Sequence, residues 1–274
     1  MEFNPEIIVT ETHKLSYRYY NGGKKVLFLF HGFGQTADIF ETFIPAILTE
    51  YTVITIDLFF HGNSEVLQHQ TNFISIEEWN QLFEKILEKH SIHTFSLFSF
   101  SIGSRFVFAV LQKYQTRIQR IALIAPDGFG NNFWFRIATS NALCRLVFET
   151  VLTYPSLIIY PAKIFNFLKI THSATANFIQ RSLQAPTERE RIFNTWIYFR
   201  KLQITSKKFI QHIQFHSIPL LFAVGSSDEL VAHKAIKKIS NELKAVYIEL
   251  PLPHSKMVQA IHLKAVNEFL ITNR

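Results

Sequence analysis

Short, continuous apolar runs recur along the chain at Val26–Phe30, Val53–Asp57, Thr94–Phe98, Ile121–Ala125 and Leu220–Val224, with a weaker one at Val246–Leu250. Runs without a period of two belong to strands buried on both faces, as a parallel sheet covered by helices requires. Glu6–Thr10 and Leu15–Tyr20 are shorter and mixed, and also read as strands. Helical stretches fall between the runs. Ser75-Ile76-Glu77-Glu78 forms a capping box that opens a helix running to about His90. Another helix is expected after Ser101, and one near Met257–Thr272 closes the chain. This strand–helix alternation predicts a doubly wound α/β domain.

Two stretches depart from the alternation. Asn21-Gly22-Gly23-Lys24 reads as a tight turn, because Asn and Gly both tolerate positive φ. It is not a phosphate loop, since the glycine spacing and the Ser/Thr after Lys are missing. Residues 127–206 are rich in Phe, Trp and Ile at helical spacing, contain a second capping box at Thr187-Glu188-Arg189-Glu190, and show no strand-like run. A segment of that length exceeds an ordinary crossover. It is expected to be a helical cap inserted into a core made of residues 1–126 and 207–274, its inner face drawn from Phe133–Phe148 and Phe193–Phe199.

Composition narrows the class. Hydrophobic residues make up 48% and charged residues 18%, which suits a folded globular chain and excludes a disordered one. The 28 phenylalanines either fill a large core or line an apolar pocket, and composition does not choose between them. The net charge of +7 is dispersed, with Lys234, Lys237 and Lys238 on what reads as a solvated helix face, so no nucleic-acid partner is expected. The lone Cys144, in an apolar helix, reads as a small core residue, and no disulfide can form within the chain. MEFNPEIIVT has no cationic stretch followed by an apolar run, and Val151–Ile170 is interrupted by Pro155, Pro161 and Lys163. A cytoplasmic protein without stable membrane insertion is expected, its oligomeric state left open.

The chemistry concentrates where apolar runs end. Thr94–Phe98 is followed at once by Ser99-Phe100-Ser101-Ile102-Gly103-Ser104. A nucleophilic serine on a sharp strand-to-helix turn needs small residues two before and two after it, because strand and helix backbones approach closely there. Ser99 and Gly103 meet that need, and the helix that follows offers N–H groups to a developing anion. Val26–Phe30 runs into the glycine-rich His31-Gly32-Phe33-Gly34, and Val53–Asp57 into Asp57-Leu58-Phe59-Phe60-His61-Gly62-Asn63-Ser64.

On these motifs the chain resembles the α/β-hydrolase superfamily, in particular its serine esterase-like branch with an inserted helical cap. The family's G-x-S-x-G is present with Ser99 in place of the first glycine. The resemblance implies an oxyanion hole built from the backbone N–H groups of Phe33 and Ile102. The Asp57–Ser64 loop is similar to the family's D-x-P-G-x-G-x-S, with Phe59 and Phe60 where Pro and Gly are usual. That loop is architectural in the family, so Asp57 and His61 are assigned no catalytic role. Phe59 and Phe60, with Phe33 and Phe100, are taken as substrate-contacting.

A serine triad needs an acid and a base from later strand ends, in the order Ser, Asp, His. Asp228 follows the Leu220–Val224 run, in a Gly225-Ser226-Ser227-Asp228 string that matches the family's strand–G-x-x-D element. Asp127, after Ile121–Ala125, is the rival acid. His254 lies in the loop before the closing helix, where the family places its histidine. His212 and His216 have the spacing of helix zinc ligands but lack the accompanying Glu and a third ligand, so no metal is expected. Nothing suggests a nicotinamide, flavin or nucleotide site, and no cofactor is expected.

These residues imply hydrolysis of a carboxylic ester or related acyl bond of an apolar acyl or aryl small molecule. The serine disfavours the superfamily branches that use Asp as nucleophile. The alternatives are C–C bond or thioester hydrolysis or acyl transfer on the same triad, or a ligand-binding protein with little turnover.

Overall fold

The computed structural model describes residues 5–68, 72–129, 133–154, 156, 185–262 and 264–272. By compactness the chain divides into two units, Met1–Asn131 with Lys201–Arg274, and Asn132–Arg200. The division lies inside the expected cap limits, so residues 127–131 and 201–206 go with the larger unit.

The larger unit is built on one sheet. Its strands, among the described residues, are β1 (Glu6–Val9), β2 (His13–Tyr20), β3 (Lys25–Phe30), β4 (Tyr51–Ile56), β5 (Glu65–Val66), β6 (Phe95–Phe100), β7 (Ile118–Ile124), β8 (Leu220–Gly225) and β9 (Val246–Leu250). They lie in the order β1-β2-β4-β3-β6-β7-β8-β9, with β5 paired to β2. β2 runs antiparallel to β1, β4 and β5, and from β4 to β9 every neighbouring pair is parallel. Strands β4, β6 and β8 are buried at every position, which is why their sequences show no alternation. The expected doubly wound, mostly parallel sheet is the fold observed.

Register aligns the carboxyl ends of the central strands. Phe30 pairs with Ser99, Phe100 with Ile124, Ile124 with Ala223, and Gly225 with Leu250. The loops after β3, β6, β7, β8 and β9 therefore leave the same rim, where parallel α/β sheets bind ligands. β6 runs two residues past the expected Phe98, because Ser99 still pairs with β3 and β7 and Phe100 with β7.

The capping box at Ser75 is formed. Ser75 Oγ accepts from the Glu78 N–H at 3.1 Å and Glu78 Oε2 accepts from the Ser75 N–H at 2.8 Å, opening α1 (Ile76–Lys89). A single 3-10 turn, Ser101–Gly103, leads into α2 (Ser104–Tyr114). The other helices of this unit are numbered α6 (Ser206–His216), α7 (His233–Leu243) and α8 (Lys264–Ile271). The expected single helix over Met257–Thr272 is instead a 3-10 segment, His254–His262, followed by α8. The carbonyls at the C-terminal end of α8 receive side chains from three strands: Tyr51 Oη on Leu270 O at 2.6 Å, Lys25 Nζ on Ile271 O at 3.2 Å, and Arg120 on Phe269 O and Thr272 O.

The glycines at 22 and 23 have a different cause from the one expected. Neither has positive φ, and β2 does not pair with β3. A Cβ at Gly22 would lie 2.3 Å from Tyr51 O, and one at Gly23 would lie 2.1 Å from Glu50 C. The loop is glycine-rich because the chain entering β4 passes against it.

The smaller unit, among its described residues, contains α3 (Phe133–Thr139), α4 (Ala142–Thr153) and α5 (Pro186–Tyr198). Asn141 caps α4 through the Cys144 N–H at 2.9 Å, and Cys144 itself is half-buried rather than a core residue. The capping box expected at Thr187 is absent, since α5 begins at Pro186 with Ala185 as its cap residue. Proline at a first helical position needs no N–H partner and presets φ, while Glu188 pairs with Arg191 at 2.7 Å. Phe148 packs on Phe193 and Trp196, and Trp196 on Phe135, so these rings of the expected cap face hold the unit together. Much of the Val151–Ile170 stretch lies outside the described residues. Among those described, no helix is long and apolar enough to cross a membrane.

The phenylalanine excess fills the core of the larger unit. Phe28, Phe30, Phe83, Phe95, Phe98 and Phe106 are all fully buried, and Phe83 contacts Phe28, Phe95, Trp79 and Tyr114 at ring-centroid distances of 4.6–6.2 Å. Removing the Phe83 ring leaves a cavity that close-packed neighbours cannot refill. Phe83→Ala is expected to lower the urea-unfolding free energy by about 3–5 kcal/mol. Phe215 is 84% exposed, so Phe215→Ala should change it by less than about 0.5 kcal/mol.

Candidate active site

The chain leaves β6 at Phe100 and enters the 3-10 turn that leads into α2 at the next residue. That residue, Ser101, takes φ +50°, a left-handed conformation L-residues seldom adopt. The turn is held by close approach: a Cβ on Gly103 would lie 2.6 Å from both Phe30 O and His31 O. Glycine is therefore required at 103. Ser99, at the family's first glycine, is fully buried, and its Oγ has no hydrogen-bond partner among the described residues. The turn forms with Ser99 in place. Ser104 Oγ donates to Ser101 O at 2.7 Å, and the Asp127 N–H approaches the same carbonyl at 3.3 Å, bracing the strained residue.

His254 reaches Ser101 from the segment after β9. Its Nε2 lies 2.9 Å from Ser101 Oγ and its Nδ1 lies 2.7 Å from Asp228 Oδ2. With Nδ1–H donating to the carboxylate, Nε2 is free to accept the serine hydroxyl. Phe100 stacks on the imidazole, with centroids 5.5 Å apart and planes 26° apart, and Gly32 leaves room for the Phe100 ring. Phe100 thus packs under His254, with 3% of its surface exposed. Ser101 retains 8% exposure.

Asp228 is buried after β8. Oδ1 accepts the Leu230 N–H at 2.9 Å while Oδ2 faces His254, so both oxygens have donors. His233, at the start of α7, places Nε2 2.7 Å from the Asp228 carbonyl. The Leu230 amide leaves no sequence signal, and His233 lay outside the motifs. The rival Asp127 is engaged elsewhere: its Oδ2 accepts from Arg105 Nε at 2.7 Å. Of the two carboxylates, Asp228 is the one hydrogen-bonded to His254.

The loop after β3 sits beside this group. Gly32 N–H donates to Gln35 Oε1 at 2.9 Å, Gln35 N–H to Gly32 O at 3.3 Å, and Gly34, at φ +72°, donates to His61 Nε2 at 3.0 Å. No hydrogen bond among the described residues uses the intervening Phe33 N–H. Ile102 lies in the first helical turn after Ser101, where geometry leaves N–H groups without intrahelical acceptors.

The loop after β4 is architectural. Asp57 Oδ1 accepts the Ala37 N–H at 2.9 Å, and Ser64 Oγ donates to Asp57 O while accepting the Ser16 N–H. Phe59 corrects an expectation. It is fully buried with its ring 4.9 Å from His13, so it packs in the core rather than facing solvent. Phe60 takes φ +66° and is half-buried, which for a side chain with a Cβ costs about 1–2 kcal/mol and accounts for glycine being usual there. Phe33 is half-buried, with its ring edge-on to His61 at 5.5 Å. His212 Nδ1 takes a hydrogen bond from Gln115, and among the described residues no cluster of three or more His, Cys, Asp or Glu could hold a metal.

Sequence comparison agrees with the geometry. The chain matches the model of the alpha/beta hydrolase fold over residues 25–262, and it belongs to that family. No curated protein is similar enough in sequence to match it. Among solved structures it is similar to an alpha/beta hydrolase enzyme from a Medee basin deep-sea metagenome library, at 13% identity over 98% of each chain with a TM-score of 0.70. A thermophilic esterase from Thermogutta terrifontis aligns at 18% identity over 97% of this chain and 98% of that one, TM-score 0.66. The thioesterase domain from the Curacin biosynthetic pathway aligns at 15% identity over 99% and 100%, TM-score 0.62. At these identities the likeness is one of fold.

His31 gives the rim an acid limit. It has no exposed surface, and burial pushes its pKa down to about 4. The folded protein therefore keeps His31 neutral where the unfolded chain, with an ordinary value near 6.5, already binds a proton. Its contribution to stability is complete above about pH 6.5 and is lost as pH falls toward 4, by up to about 3 kcal/mol. Urea unfolding between pH 7 and 4 should show that loss in the wild type. His31→Gln, which does not titrate, should flatten that part of the profile.

Proposed function

We propose that this protein is a serine hydrolase that cleaves a carboxylic ester or related acyl bond of an apolar small molecule through an acyl-enzyme. The observation that carries this reading is the continuous hydrogen-bonded series from Ser101 through His254 to Asp228, at 2.9 and 2.7 Å, on a left-handed serine turn.

In the proposed mechanism His254 Nε2 takes the proton of Ser101 as Oγ attacks the substrate carbonyl carbon. Asp228 keeps the imidazole in its Nδ1–H tautomer and stabilises the imidazolium. The negative charge that develops on the carbonyl oxygen is met by the N–H groups of Phe33 and Ile102. Collapse breaks the bond to the leaving group, which receives the proton from His254. Water, deprotonated by the same imidazole, then attacks the acyl-enzyme, and Ser101 regains its proton as the carboxylic acid leaves. The serine argues against a mechanism with a carboxylate nucleophile. The apolar substrate class is supported by the half-buried Phe33, on the glycine-rich loop that leaves the same rim of the sheet as Ser101.

Three measurements test this reading. A fluorophosphonate probe should label the wild type and not Ser101→Ala, and a wild-type protein that takes no label would sink the proposal. Asp228→Asn should lower kcat by roughly 10³–10⁴-fold, as loss of the orienting acid does in serine triads. Asp127→Asn, whose partner is Arg105, should lower it far less, and the reverse order would move the acid. Across p-nitrophenyl esters of increasing acyl length, kcat/KM should rise from acetate. A preference for acetate with long chains rejected would remove the apolar substrate class while leaving the triad standing.

A further inference from the structure

The loops after β3 and β4 each reach across to the other with a histidine. His31 Nε2 accepts the Leu58 N–H at 2.9 Å, and His61 Nε2 accepts the Gly34 N–H at 3.0 Å. In each ring the other nitrogen lies near a carbonyl of its own loop, His31 Nδ1 at 2.7 Å from Gly32 O and His61 Nδ1 at 2.9 Å from Phe59 O. An imidazole whose Nε2 accepts from a backbone N–H must be neutral and carry its proton on Nδ1. Both tautomers are thus fixed the same way. The two rings meet edge to face at 5.3 Å, and the Phe33 ring packs on His61. Both are buried, His31 fully and His61 to 95% (5% exposed).

The pair matters because of where the bonds land. Gly34 follows Phe33 directly, and its φ of +72° is unusual backbone that a side chain cannot hold in place, since it has none. The peptide plane between Phe33 and Gly34 is set from one side by His61 on the Gly34 N–H. From the other side Gln35 holds Gly32. The Phe33 N–H lies between these two fixed points.

We propose that His61 is a positioning residue of the oxyanion hole: by accepting the Gly34 N–H it orients the Phe33 amide, with His31 supplying the reciprocal tie to the β4 loop. The inference rests on the reading of the Phe33 N–H as an oxyanion donor. It gives His61 a part in rate, acting through the loop, where the sequence assigned it none.

The test uses three substitutions that separate volume from hydrogen bonding. His61→Leu fills space without an acceptor. His61→Asn places its amide near the Nδ1 position, short of Gly34. His61→Gln brings a carbonyl oxygen to about the Nε2 position, where it can accept the Gly34 N–H. In Leu and Asn variants kcat for a p-nitrophenyl ester should fall roughly ten- to a hundredfold with KM within about twofold, below the loss seen when an oxyanion donor is removed outright. Affinity for a trifluoromethyl ketone, whose serine adduct carries the oxyanion, should fall by the same factor. His61→Gln should recover both to within about threefold of wild type. Unchanged kcat in His61→Leu, or equal impairment of Gln and Asn, would overturn the proposal. Amide hydrogen exchange at Gly34, measured on the same proteins, does not depend on turnover. Its protection should be lost in Leu and Asn and kept in Gln, and protection retained in His61→Leu overturns the proposal even if the wild type hydrolyses no ester, a result that would separately defeat the function proposed above.

Discussion

The arrangement at the sheet's carboxyl rim depends on one close approach of backbones. The turn that leads into α2 lies so near the carbonyls of Phe30 and His31 that no Cβ fits at Gly103. To reach that position from β6, the chain must turn through a left-handed residue, and Ser101 is the residue that does so. Its side chain is thereby set at the end of β6, facing the loops after β8 and β9. The strain is offset locally by Ser104 and the Asp127 N–H on the Ser101 carbonyl. Strain of this kind persists only where the surroundings over-determine it, and such places concentrate at reactive sites.

Much of this was legible in the chain because the signals are local. A strand buried on both faces declares itself by an unbroken apolar run, so β3, β4, β6 and β8 could be placed within about two residues. The Ser75 box was readable because both partners lie within one helical turn. Ser101, Asp228 and His254 stand out by their order behind three such strands, a feature of linear sequence. What escaped depends on distant pairing. β5 is two residues long and exists because His13 and Lys14 offer it a partner. Phe59 reads as a substrate-contacting loop aromatic until β2 folds His13 against it. The glycines at 22 and 23 answer to residues 48–51.

The same distinction explains the histidines. Twelve histidines give no reason to choose two, and His31 and His61 lie thirty positions apart in separate motifs. Only the adjacency of β3 and β4 brings their loops together. The aromatic residues behave in the opposite way. Their abundance suggested either core or pocket, and packing resolves most of those in the larger unit into core.

The anchoring of α8 has a further consequence. The segment that carries His254 is followed directly by this helix, whose far end is fastened to β3, β4 and β7 by Lys25, Tyr51 and Arg120. Lys25 and Tyr51 stand at the starts of their strands, on the edge of the sheet opposite the reactive rim. The last helix therefore acts as a tie-rod between the two edges. The imidazole is held in register with the serine from a point a whole sheet-width away, where no substrate contact would draw attention to it.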